Sequence, residues 1–200
     1  MILVTGFPRS GTTLLYCMLR YAVQGYEFLE RELPQLKEGC ITKSPSGVFD
    51  LHPRNANRCI VMLRDPRALL TSKHNGEKFR NCGYFLSAHS HLGSAKNGLC
   101  EWWTAIKKLS GALLVRYEDL ITRPRDIQHD IGARFGLTYK PDHWFEDFHR
   151  EPYGELFETA MNGRRPIQPR TTLDERRIRE QFEAYPELNT VMQEMGYAAS

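Results

Sequence analysis

The 200-residue chain has no apolar run approaching the length of a membrane span, no Cys-x-x-Cys pair, no internal repeat and no low-complexity tract. The first absence argues against a membrane protein. An apolar strand-like run at residues 1–4 leaves no room for a secretory leader, so the expected location is the cytoplasm. The five cysteines, Cys17, Cys40, Cys59, Cys82 and Cys100, are odd in number and widely spread. They suit neither a disulfide framework nor a zinc site and read as reduced thiols. His74, His89 and His91 lack a third ligand at metal spacing, so no metal is assigned. A strong charge of one sign is missing too: 27 Lys and Arg stand against 24 Asp and Glu, a net charge of +3. That balance suits a small anionic ligand and falls short of a nucleic-acid surface, for which a basic stripe with interleaved aromatics is also lacking. No linker divides the chain, and its length suits one domain, residues 1–200.

What the chain does have is a series of short apolar runs alternating with helical patterns, the signature of an α/β fold with a central parallel sheet flanked by helices. It is organised around Met1-Ile2-Leu3-Val4-Thr5-Gly6-Phe7-Pro8-Arg9-Ser10-Gly11-Thr12-Thr13. Residues 1–4 read as a buried strand stopped by Gly6. The spacing Gly6-x-x-x-x-Gly11-Thr12-Thr13 permits a tight turn whose N–H groups face an anion, and a helix over residues 12–20 adds the positive end of its dipole. The spacing is that of a Walker turn with one departure. Thr12 stands where ATP and GTP sites carry lysine, and the nearest cation is Arg9, inside the loop. The alternative is a strand-to-helix turn that binds nothing.

Further along, residues 25–34 break the helical pattern at Gly25 and Pro34 and carry Glu27, Glu30 and Glu32, as a charged turn would. Cys40-Ile41-Thr42-Lys43-Ser44-Pro45 reads as a strand whose end delivers Lys43 to the carboxyl edge of the sheet, where open α/β folds bind ligands. Residues 59–63 form another buried strand, followed by Arg64 and Asp65, with Pro66 opening a helix. Ser72 lies eight residues after Arg64, so a guanidinium and a hydroxyl could converge on one phosphate. Residues 73–100 are polar and Gly-rich over most of their length and read as a lid or binding loop. Then come an amphipathic helix (100–109), a strand (112–117), a helix opened by Pro124 and closed near Gly136, and a charged helix over 172–195 interrupted at Pro186.

Taken together, these segments resemble the sulfotransferases that use 3′-phosphoadenosine 5′-phosphosulfate (PAPS). Pro8-Arg9-Ser10-Gly11-Thr12-Thr13 resembles that family's 5′-phosphosulfate loop, and Arg64 with Ser72 its 3′-phosphate motif. Lys43-Ser44-Pro45 resembles the segment that carries the catalytic lysine of the carbohydrate branch. Arg116-Tyr117-Glu118-Asp119-Leu120 resembles the segment whose tyrosine approaches the adenine, although Tyr117 also suits plain core. Gly163-Arg164-Arg165 falls where the family carries a basic loop over the 3′-phosphate, in a different residue order. The resemblance implies a three-layer P-loop-type fold and sulfuryl transfer from PAPS to a hydroxyl or amine, releasing 3′-phosphoadenosine 5′-phosphate (PAP), with no metal. It also implies the roles. Arg9 and Lys43 would act on the transferring group, and Glu30 would take the acceptor's proton, with Glu32, Glu27 and His74 as other candidates for that base. Arg9, Ser10, Gly11, Thr12, Thr13, Arg64, Ser72, Tyr117, Gly163, Arg164 and Arg165 would hold PAPS.

Two other functions remain open from the residues. Asp65, after an apolar strand, would suit a magnesium-dependent nucleotide or small-molecule kinase using ATP. A non-catalytic PAP-binding module would keep the phosphate elements alone. The acceptor, whether a small molecule, a glycan or a peptide, is not encoded in any recognisable motif, nor is the oligomeric state.

Overall fold

The computed structural model describes residues 1–29, 38–44, 53–71, 98–150 and 175–198. Five strands form one all-parallel sheet: β1 (Ile2–Gly6), β2 (Glu27–Phe28), β3 (Cys40–Lys43), β4 (Cys59–Leu63) and β5 (Leu113–Arg116), in the spatial order β2-β3-β1-β4-β5. Every residue of β1 and β4 is buried, which is why both read as unbroken apolar runs: helices cover each face of a parallel sheet.

Side-chain alternation divides the core in two. Ile2, Val4, Ile41, Ile60 and Met62 meet helices α1 (Thr12–Ala22), α4 (Tyr117–Thr122) and α5 (Pro124–Phe135) through Leu15, Leu19, Leu120, Ile127 and Ile131. Leu3, Cys40, Cys59, Val61 and Leu63 meet the opposite layer. That layer is built from α2 (Pro66–Thr71), α3 (Leu99–Lys107), α6 (Glu175–Ala184) and α7 (Glu187–Glu194), through Leu69, Trp102, Ile106, Phe182 and Met192. The result is a three-layer α/β fold. Each fully buried aliphatic or aromatic side chain contributes about 1.5–3 kcal/mol, so the two clusters together outweigh any polar contact described below.

The helix signals read from the sequence hold, with shifts of a few residues. Pro66 opens α2 and Pro124 opens α5, which ends at Gly136 in the left-handed region (φ 63°). The closing helix is divided into α6 and α7 around Pro186. Two elements differ from expectation. Glu27 and Phe28 form a two-residue strand rather than a charged turn, because parallel pairing with Cys40 and Ile41 leaves too short a run for any period to show. Tyr117 does not end β5; it opens the six-residue helix α4.

The strand order also positions the site. After β1 the chain crosses to β2 on one side of the sheet, and after β4 it crosses to β5 on the other. Adjacent strands whose continuations diverge leave a crevice beyond their carboxyl ends. Here the divergence falls between β1 and β4, whose carboxyl ends are Gly6 and Leu63.

Candidate functional site

The β1–α1 turn is shaped by its own residues. The Ser10 N–H donates to the Phe7 carbonyl at 3.0 Å, Pro8 occupies the second position, and Arg9 has φ 74°. This is the pattern of a type II turn, with arginine where glycine is preferred. Left-handed backbone at a residue with a Cβ costs roughly 1–2 kcal/mol. Gly11 (φ 98°) then caps α1, and Leu15 is the residue whose N–H reaches the Gly11 carbonyl, at 3.0 Å. The N–H groups before Leu15 in that first helical turn have no intrahelical carbonyl to meet. Gly6 is required by close approach, since a Cβ there would stand 2.8 Å from the Met62 carbonyl oxygen.

Inside this turn the Ser10 hydroxyl is buried, the residue being 1% exposed, and has no hydrogen-bond partner among the described residues. An orphaned buried hydroxyl costs about 1–3 kcal/mol unless something meets it. Thr12 is also buried, with its methyl group turned toward Gly6. Its side chain therefore fills the turn, where the lysine of a Walker turn would reach toward phosphate.

Arg64 directly follows β4. One of its terminal nitrogens, Nη1, donates to the Arg9 carbonyl at 2.9 Å, tying the β4 end to the β1–α1 turn. Its guanidinium lies over the Tyr117 ring, 4.1 Å from the centroid. Among the described residues its buried Nε has no hydrogen-bond partner and Arg64 joins no ion pair. Asp65 pairs instead with Arg67, and Asp119 with Arg123.

Lys43 arrives from β3 on the other flank. Parallel register sets it beside Val4, and its Nζ stands 3.3 Å from Thr13 Oγ1 at the start of α1. Lys43, at the end of β3, and Arg64, just after β4, thus both contact the β1–α1 segment, which itself carries Arg9 in its turn. Cys17 lies on α1, close enough to Lys43 to feel its charge. Burial nevertheless dominates and pushes the thiol up to about 12, with Lys43 and Arg20 pulling partly the other way. A thiol so held stays protonated and unreactive.

The structure gives Asp65 a different occupation from a metal ligand. Its Oδ1 accepts the Arg67 backbone N–H at 2.9 Å, capping α2, and its carboxylate receives the Arg67 guanidinium at 2.7–3.2 Å. The Asp65 N–H in turn donates to Glu118 Oε1 at 3.2 Å, while the other Glu118 oxygen accepts the Tyr197 hydroxyl at 2.8 Å. Glu118 and Tyr197 were not singled out by sequence reasoning. They are 79 residues apart, and no local pattern links the chain's last turn to the start of α4.

Glu27, one candidate base, is set apart by register. It pairs with Cys40, three residues before Lys43, or about 10 Å down the strand. Its Oε2 lies 3.6 Å from Cys40 Sγ. Glu30, Glu32, Ser72, His74, Gly163, Arg164 and Arg165, with most of the 73–100 segment, lie outside the described residues. Among the described residues no group of three His, Cys, Asp or Glu could hold a metal ion, and no helix is long and apolar enough to cross a membrane.

Comparison with known protein families and with curated proteins returns no match for this chain.

Proposed function

We propose that the protein is a sulfotransferase that moves a sulfuryl group from PAPS to a hydroxyl or amine of an acceptor and releases PAP. The observation that carries the proposal is that Lys43 and Arg64 both contact the β1–α1 segment that carries Arg9, with the Ser10 hydroxyl and Arg64 Nε buried and without a hydrogen-bond partner among the described residues. A ligand bearing separate anionic groups would satisfy both. In this reading the β1–α1 segment is a P-loop-type cradle in which Arg9, Ser10, Gly11, Thr12 and Thr13 take the 5′-phosphosulfate, largely through backbone N–H groups. Arg64, with Ser72, takes the 3′-phosphate, and Gly163, Arg164 and Arg165 are assigned to the same phosphate.

In the transfer step the acceptor oxygen or nitrogen attacks sulfur in line as the bond from sulfur to the 5′-phosphate oxygen breaks. The electron pair stays on that phosphate oxygen, giving PAP, and the acceptor's proton passes to Glu30. Lys43 and Arg9 face the charge that develops on the leaving oxygen and the sulfonate; one such preorganised contact contributes about 3 kcal/mol to the barrier reduction. A sulfonate carries less charge than a terminal phosphate, so cationic side chains and N–H groups suffice without a metal.

Asp65 was the basis of the kinase alternative. Its capping role and its pairing with Arg67 weaken that reading, because both oxygens already have partners. Calorimetric titration with PAP, beside ATP with Mg²⁺ and repeated on Arg64→Ala, tests the proposal. Selective PAP binding that collapses in the variant is the expected result; preference for ATP with Mg²⁺ would return the kinase to the lead. Tight PAP binding without turnover on any acceptor, unchanged in Lys43→Ala and Glu30→Gln, would indicate a binding module.

A further inference from the structure

Tyr117 occupies a place that a base-contacting residue would not need. One face of its ring lies beneath the Arg64 guanidinium at 4.1 Å. Its edge abuts the β1–α1 turn so closely that a Cβ on Gly11 would stand 2.6 Å from Cδ2. The ring is half-buried and packs on the core cluster that includes Met62, Val115 and Leu120. It is therefore wedged between the end of β4 and the start of α1, on a residue delivered by β5. From these contacts we infer that Tyr117 is a positioning residue: it fixes the plane of the Arg64 guanidinium, and with it the separation between the two anion-binding elements, rather than recognising the nucleotide base.

The physics supports this division. A guanidinium lying over an aromatic face is held there by cation–π attraction, which opposes its swinging away from the ring. Among the described residues Arg64 has one anchoring hydrogen bond, from Nη1 to the Arg9 carbonyl. A single bond leaves the fork able to rotate about it, and the ring removes that freedom. A ligand with two phosphates on one ribose gains from both elements only if their spacing is held, since misplacement forfeits the joint contribution. The role as stated depends on the PAP reading for its functional consequence, but the immobilisation of Arg64 does not.

The experiment has two arms. In the ligand-free protein, nitrogen relaxation of the Arg64 Nε–H group, identified by its loss in Arg64→Lys, should report a rigid side chain in the wild type and in Tyr117→Phe, which keeps the ring. It should report a mobile one in Tyr117→Leu. Equal rigidity in Tyr117→Leu overturns the inference. In the second arm PAP and adenosine 5′-monophosphate are titrated into the same proteins. Tyr117→Leu should weaken PAP about tenfold while changing the monophosphate by less than about twofold, with Tyr117→Phe close to wild type. The Arg64→Ala, Tyr117→Leu double variant should bind PAP no more weakly than Arg64→Ala alone. Equal losses for both nucleotides would make Tyr117 a base contact and overturn the positioning role. Absence of PAP binding in the wild type would sink the PAP reading, and the relaxation arm would still decide the role of the ring. Should Tyr117→Leu not fold, Tyr117→Met supplies the same loss of an aromatic face with a more adaptable side chain.

Discussion

Lys43 Nζ stands 3.3 Å from Thr13 Oγ1, so the last residue of β3 reaches across β1 to the mouth of the helix that β1 feeds. A lysine held there has no carboxylate within hydrogen-bond reach among the described residues and directs its charge at the helix N-terminus. Removing it should leave ligand binding largely to Arg9, Arg64 and the backbone. Lys43→Ala is expected to lower turnover of PAPS by about 10²–10³-fold while changing PAP affinity only a few-fold. Release of the labelled sulfuryl group, measured beside calorimetric PAP titration, checks both halves. Equal losses in affinity and turnover would make Lys43 a simple binding group.

Asp65 supplies a second test. Asp65→Ala removes the α2 cap and the Arg67 pair, and stability should fall by about 1–2 kcal/mol in denaturant unfolding. Asp65→Asn keeps a capping oxygen and should fall less. PAP binding by Asp65→Asn should be the same with and without Mg²⁺. Loss of a Mg²⁺-dependent nucleotide affinity in that variant would instead mark Asp65 as a metal ligand.

Gly11 and Gly25 form a matched pair. Both have positive φ, 98° and 81°, but a Cβ at Gly25 meets nothing within 4 Å, whereas at Gly11 it runs into Tyr117. Gly25→Ala should cost only the backbone strain, about 1–2 kcal/mol. Gly11→Ala should cost more and should also weaken PAP binding, because the ring and Arg64 above it must shift. Parallel thermal unfolding and PAP titration of the two variants separate strain from the contact; equal effects would deny the contact any role.

Alkaline pH should expose the buried thiols. Burial raises Cys17 and Cys59 from the ordinary 9.0 to about 12, so between those values the unfolded chain has lost protons that the folded chain retains. Stability from this source is complete below about pH 9 and is lost as pH rises toward 12. A thiol reagent at pH 9 should leave both residues unmodified in the native protein and label them after denaturation. Rapid labelling of Cys17 in the folded state would contradict its burial.

Much of this was legible in the chain. Apolar runs bounded by Gly6, Lys43 and Arg64 marked three strands correctly because a doubly covered parallel sheet demands unbroken apolar sequence. Pro66, Pro124, Gly136 and Pro186 marked helix ends because ring closure and positive φ are local constraints. Lys43 and Arg64 were picked out as strand-end cations and Arg9 as a cation inside the loop, and the fold puts Lys43 and Arg64 in contact with the segment that carries Arg9. Glu27 was read as part of a charged turn or as a candidate base, and its strand was not anticipated, since a strand of two residues has no pattern of its own and exists through its pairing with Cys40.

The sequence by itself determined the α/β class, the parallel strands and the turn with its two glycines, all properties that follow from short-range sterics and from which side chains avoid water. Tertiary structure alone decided that Arg64 rests on Tyr117, that Asp65 caps α2 and pairs with Arg67, and that Tyr197 closes on Glu118. Those partnerships join residues brought near by strand order and helix packing, and an ionised or hydroxyl side chain carries no mark in the sequence of which distant group will satisfy it.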